Sequence, residues 1–206
     1  MGTVESMSWF NFTQGPLRGG PDDRPERNRG WRGIRMTGAP LPSPKTEWLA
    51  LAGFLALPLL VGIAGAVVTF PAVQAWYPSL VHPPGTPPAS VFGPVWTVLY
   101  VMMGVAGWLV WRRVARAGAT PSTLRPLRLW GWQLGLNALW SPLFFGLHSI
   151  GLGLVTILPM VVLVAWTVLA FRRRDALAAW LMTPYLLWVC YATYLNAGLL
   201  ILNPRG

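Results

Sequence analysis

The sequence predicts an all-α integral membrane protein, a five-transmembrane-helix bundle behind a basic N-terminal extension. Three observations carry that reading. Apolar residues make up 54% of the 206-residue chain and charged residues only 11%, a balance that suits a membrane domain better than a water-soluble core. Five apolar runs reach about 20 residues each, the length a helix needs to cross roughly 30 Å of hydrocarbon. Arginine and lysine cluster in the N-terminal extension and in alternate connections between those runs, the pattern that membrane orientation imposes.

Residues 1–46 are rich in Gly, Pro, Arg and Asp, with seven basic and four acidic residues and no apolar periodicity. They read as a disordered basic N-terminal extension. With no apolar core behind a basic start, the segment does not look like a signal peptide, and its acidic residues argue against a transit peptide. Residues 47–206 form the membrane domain. Its first span is expected from Trp48 to Phe70. A connection with six prolines between Trp76 and Pro94 and no charged residue follows. Proline fixes φ and disfavours helix in the residue before it, so this stretch is expected to be a stiff, extended lid carrying Trp76, Tyr77, Pro83, Pro87 and Pro88. Pro94 is expected in the first turn of the second span, where its missing N–H costs nothing. The remaining spans are expected at Val91–Trp111, Leu127–Phe145, Ile150–Phe171 and Leu177–Leu202, with kinks at Pro58, Pro142, Pro159 and Pro184.

The extension, the second connection (Arg112, Arg113, Arg116, Arg125) and the fourth (Arg172, Arg173, Arg174) hold the basic residues, and the first and third connections hold none. The N-terminus is therefore expected in the cytoplasm, and the Pro-rich lid, the His148 turn and the tail with Arg205 on the opposite side. Because the net charge of +10 is parcelled out between spans, no nucleic-acid partner is expected. Trp48, Trp76, Trp108, Trp111, Trp130 and Trp180 fall near span ends, as an interfacial aromatic belt would. The single cysteine, Cys190, reads as a small buried hydrophobe.

At 100° per residue, Gln133, Asn137, Trp140 and Phe144 share one face of the third span, Trp96, Tyr100, Met103 and Gly107 one face of the second, and Tyr185, Trp188, Ala192 and Asn196 a broader face of the fifth. Amides at membrane depth must be paired, so Asn137 and Asn196 are expected to point inward, as interhelical glue or as anchors of a ligand. Three aromatic faces under a rigid lid suit a pocket for a flat hydrophobic ligand, with Trp96, Tyr100, Asn137, Trp140, Phe144, Trp188 and Ala192 as the lining. Neither a catalytic constellation nor a metal cluster is visible, since His82 and His148 are isolated and Asp175 is the one acidic residue beyond Glu47. No catalytic residue, cofactor or metal is expected.

Trp76, Tyr77, Leu80, Pro83, Pro87, Pro88, Phe92, Trp96, Leu99 and Tyr100, then Gln133, Asn137, Trp140, Pro142, Phe144, Phe145 and Gly146, then Pro184, Tyr185, Trp188, Thr193, Leu195 and Asn196 resemble the signature of the tryptophan-rich sensory protein family, relatives of the mitochondrial translocator protein. The resemblance covers about residues 48–203. It implies a five-helix bundle, mostly dimeric, whose pocket under the first loop takes tetrapyrroles such as protoporphyrin or haem. The function it implies is a tetrapyrrole-binding receptor or regulator, ahead of a small-molecule transporter and a light-dependent porphyrin-degrading enzyme. A bacterial cell envelope is the expected location. A homodimer is expected through Gly131 and Gly135, with Gly62 and Ala66 as a weaker pair. Gly85 and Ser90 stand where many relatives carry loop tryptophans, and the sterol-type element after Tyr194 is missing.

Overall fold

A computed structural model describes residues 42–204. The extension expected over 1–46 lies outside the described residues up to position 41, as does Arg205, while residues 44–46 belong to the first turn of the first helix. Five helices follow: α1 Pro44–Gln74, α2 Ala89–Ala117, α3 Pro121–Ser141, α4 Ile150–Arg172 and α5 Ala176–Leu202. Four of their N-termini are capped by a side chain that accepts a backbone N–H of the first turn: Ser43, Thr120, Ser149 and Asp175. Such caps satisfy donors that a helix start otherwise leaves orphaned. At the end of α2, Gly118 adopts φ 86°, a conformation that costs other residues energy and glycine little.

The helices pack in a ring, α1 on α2, α2 on α5, α5 on α4, α4 on α3 and α3 back on α1. Four of them, α1, α2, α4 and α5, are long and apolar enough to cross a membrane. In α3, Arg125, Arg128, Gln133 and Asn137 lower the apolarity, and the helix falls short of the other four. At Pro142 it passes into a wider π-type turn, Pro142–Gly146, where Leu147 N–H bonds the Pro142 carbonyl at 2.9 Å and Ser149 N–H the Phe144 carbonyl at 3.1 Å. His148 follows with φ 50°, its ring stacked 4.8 Å from that of Trp76.

Several expectations change. The Pro-rich connection is not extended throughout, because Tyr77–Ser79 closes a 3-10 turn. Pro88 is the N-cap of α2, so Pro94 lies inside that helix and removes one of its hydrogen bonds. Pro71 lies inside α1, which runs to Gln74. Trp130 is not interfacial: the residue is 5% exposed and its Nε1 donates to the Met103 carbonyl at 3.1 Å. Cys190 is exposed on α5 rather than buried.

The arginine-bearing end of the bundle is tied by ion pairs. Glu47 takes Arg116 at 2.9 Å and Arg112 at 3.8 Å, and Asp175 takes Arg113 at 3.1 Å. The Trp108 indole donates to the Glu47 backbone carbonyl at 3.1 Å, and Arg112 lies 4.6 Å over the Trp108 ring, a cation–π contact.

Candidate functional site

The three predicted faces meet. Near the middle of the bundle, Tyr100 of α2 donates its hydroxyl to Asn137 Oδ1 at 2.7 Å, and Asn137 Nδ2 donates to the Tyr185 hydroxyl at 3.1 Å. Tyr185 in turn points its O–H at the Met160 sulfur, 3.8 Å away. All three of these side chains are buried. One amide thus joins α2, α3 and α5, using both its donor and its acceptor, and neither tyrosine oxygen is left alone in an apolar surround. One turn deeper, Gln133 is fully buried, with Nε2 3.4 Å from the Met103 sulfur and Oε1 unpartnered.

On the lid side of this polar floor stands a second layer. Trp96 precedes Tyr100 by four residues, while Trp140 and Trp188 follow Asn137 and Tyr185 by three. Because α2 runs away from the lid and α3 and α5 run toward it, all three indoles lie one turn nearer the lid than the floor. Trp96 stacks on Tyr100, with centroids 5.3 Å apart, and meets Tyr185 edge-on at 6.1 Å. Trp188 packs between Phe92 at 5.8 Å and Tyr191 at 5.7 Å. Trp140 stacks on Phe144 at 5.0 Å. The Nε1 atoms of Trp140 and Trp188 are both buried and find no acceptor among the described residues. A buried polar group without a partner costs about 1–3 kcal/mol; the other such side-chain atoms among the described residues, Gln133 Oε1 and Asn196 Oδ1, are acceptors, so the two unpartnered donors both lie at the indole level.

Above the indoles lies the lid, clamped to α5. The Tyr191 hydroxyl donates to the Gly85 carbonyl, the Tyr194 hydroxyl donates to the Pro84 carbonyl at 3.0 Å, and the Asn203 amide pairs with both backbone groups of Val81 at 2.9 and 3.0 Å. Pro83 is buried against Gly198, where a Cβ would come within 2.7 Å of the proline ring. Tyr77 meets His82 edge-on at 4.6 Å and Phe145 at 5.8 Å, and burial raises its pKa above the usual phenol value, with Tyr191 adding to the shift. Gly85 adopts φ 85°, so a tryptophan at this position would be strained whatever the space around it.

Most of the predicted lining is brought together: Trp96, Tyr100, Asn137, Trp140 and Trp188, with Ala192 partly buried beside them. Phe144 differs. It lies behind Trp140 in a separate cluster with Ile150 and Leu199, because the π turn carries it toward α4, where it touches Gly153. Trp76 joins that cluster from the lid, 5.6 Å from Phe144. Pro87 is partly buried, and Pro88 is an exposed cap. Asn196, the other predicted amide, donates to the Ile150 carbonyl at 2.9 Å and ties α5 to α4. Phe92 and Tyr191 are neighbours of the indoles that the helical faces did not include, although the i, i+4 row 92, 96, 100 and the i, i+3 step from 188 to 191 carry the signal for both.

These elements define a class: a helical membrane bundle with an aromatic layer between three helices, covered by a proline-rich loop. A profile of the TspO/MBR family matches residues 54–202. The chain is 38% identical over 149 residues to the translocator protein of Bos taurus, covering 72% of this chain and 87% of that one. It is 39% identical over 163 residues to the tryptophan-rich protein TspO of Chlorobaculum tepidum, covering 76% and 97%, and 34% identical over 157 residues to the tryptophan-rich sensory protein of Cereibacter sphaeroides, covering 76% and 93%. The chain belongs to the TspO/MBR family and is an integral membrane protein.

Proposed function

We propose that this protein is a tetrapyrrole-binding membrane receptor or regulator that takes a protoporphyrin- or haem-like ligand between α2, α3 and α5 under the lid. One observation carries the reading: Trp96, Trp140 and Trp188 lie one turn above the Tyr100–Asn137–Tyr185 floor, and two of the three indole N–H groups lack an acceptor. Indole faces suit a flat macrocycle, and free N–H donors suit acceptors that the ligand brings. With no formal charge among the lining residues, the ligand's carboxylates stay at the lid-side opening, near His82 and water, since burying an unpaired carboxylate costs several kcal/mol. Stacking then supplies most of the affinity, and the protein binds and reports rather than turning its ligand over.

In this reading α3 is the fifth span, with its arginines at one end and its polar residues facing inward, and the arginine-bearing end lies in the cytoplasm. A cysteine at Ser79 should then react with an impermeant thiol reagent added outside spheroplasts, and one at Ala117 should not. The protein works as a homodimer joined through α3, where Gly131 and Gly135 are exposed with nothing within 4 Å of their built Cβ positions. Gly62 is excluded from that interface, because a Cβ there would lie 2.5 Å from the Tyr100 ring. The test of the site is protoporphyrin titration by tryptophan fluorescence, with thermal stability as a folding control. Trp140→Ala and Trp188→Ala should each weaken binding by about 1–3 kcal/mol, by analogy with bases stacked on aromatic side chains, or roughly 5- to 150-fold. Asn137→Ala should weaken it less. Three folded variants that bind like the parent would remove the site.

A further inference from the structure

We propose that the site is loaded sideways from the bilayer, through the seam between α2 and α5, with the Trp188 side chain as its movable wall. The proposal rests on the binding function above and specifies the route by which the ligand reaches the site. Two faces of the site offer a way in, and they differ in what holds them shut. The lid is fastened by the Tyr191, Tyr194 and Asn203 hydrogen bonds to the backbone of residues 81–85, and Pro83 is wedged against Gly198. Lifting it breaks all of these contacts together. The seam has no comparable clasp. Its outer surface is an apolar groove of about 410 Å³ lined by Val95, Leu99, Pro184, Leu187, Trp188 and Tyr191. Among the described residues, no direct side-chain hydrogen bond joins α2 to α5 along this groove: the polar links between them are the Asn137 bridge at the floor and the Arg113–Asp175 pair at the far, arginine-bearing end.

Trp188 borders both the groove and the aromatic layer. Part of its side chain lines the groove, yet its Nε1 is buried and unpartnered, and it is held by apolar packing, including ring contacts with Phe92 and Tyr191, with no hydrogen bond. Turning the indole therefore breaks no hydrogen bond of its own, whereas opening the lid breaks several. The helices on either side are also easier to bend here. Pro184 lines the groove and Pro94 immediately precedes Val95, and each removes a backbone hydrogen bond from its helix. An amphiphilic macrocycle dissolved in the bilayer, with its carboxylates at headgroup level, meets this seam before it meets the outside of the lid.

Stopped-flow mixing of protoporphyrin-loaded vesicles with the protein in nanodiscs separates the two routes. Filling the groove with Val95→Trp or, independently, Leu187→Trp should slow association by about tenfold or more. Dissociation should slow in parallel, leaving Kd unchanged within about threefold, because obstructing a path does not alter the end states. Loosening the lid with Tyr194→Phe and Asn203→Ala together should leave the loading rate at the parental value. Seam variants that load at the parental rate overturn the proposal, as does a loosened lid that accelerates loading. If the seam variants instead shed a co-purifying phospholipid and load normally, the groove holds an acyl chain and the proposal is wrong. A parent protein that shows no saturable protoporphyrin binding defeats the functional reading itself, and the route with it.

Discussion

On the arginine side of the Asn137 amide, Met103, Val110, Val164 and Phe171 are fully buried, the Trp130 and Trp108 indoles each have a backbone carbonyl, and the helices end in ion pairs. On the lid side, the same helices and their connections carry stacked and edge-on aromatic rings, two indole N–H groups without acceptors, a π turn, a 3-10 turn and two residues with positive φ, Gly85 and the non-glycine His148. In the half that anchors the bundle both indole donors are satisfied, the unpartnered atom there is the Gln133 Oε1 acceptor, and the positive φ falls on a glycine, Gly118. Irregular backbone and free donors belong to the lid-side half, where the proposed function puts the ligand, and local structure that departs from the rules is the pattern expected of a binding site.

The largest test of the contrast is a packing change in the anchoring half. Gly104 lies under α1, where an added Cβ would come 2.6 Å from the Phe54 backbone carbonyl and 3.0 Å from the Leu55 Cα. Since backbone cannot step aside as a side chain can, Gly104→Leu should lower stability by about 3 kcal/mol or prevent folding, measured by thermal unfolding in detergent. A variant as stable as the parent would break the picture of a rigid anchor. A smaller effect on stability is expected from Gly135→Leu, which meets nothing within 4 Å. It should unfold like the parent while crosslinking as a monomer. An unchanged dimer band would move the interface elsewhere.

Much of this organisation is legible in the sequence, and the reason is periodicity. The inward faces of α2, α3 and α5 follow from a step of 100° per residue, which is enough to aim Tyr100, Asn137 and Tyr185 at a common interior. Periodicity within a helix says nothing of the order of helices around the ring. It therefore leaves open whether Asn137 and Asn196 are glue or ligand anchors, and the fold ties one to two tyrosines and the other to the Ile150 carbonyl. It also treats Gly62 and Gly131 alike as small residues, though one makes room for Tyr100 and the other faces outward. The clasp of the lid is invisible to it, because backbone carbonyls of residues 81–85 lie more than 100 positions from the Tyr191 and Tyr194 hydroxyls. Trp130 is misplaced because an indole near a span end has the same composition signal whether it faces headgroups or a neighbouring carbonyl. Phe144 is misplaced because the π turn after Ser141 shifts the register of every residue beyond it.

The contrast between the halves can be read from the indoles themselves. With 15N-labelled tryptophan and indole signals assigned by single Trp→Phe variants, protoporphyrin should be titrated into the protein in nanodiscs. The Nε1–H resonances of Trp140 and Trp188 should move as the ligand supplies acceptors and ring current, while those of Trp130 and Trp108, already bonded to the Met103 and Glu47 carbonyls, should stay in place. Shifts at Trp130 and Trp108 with none at Trp140 and Trp188 would contradict the assignment of the lid-side half as the binding half.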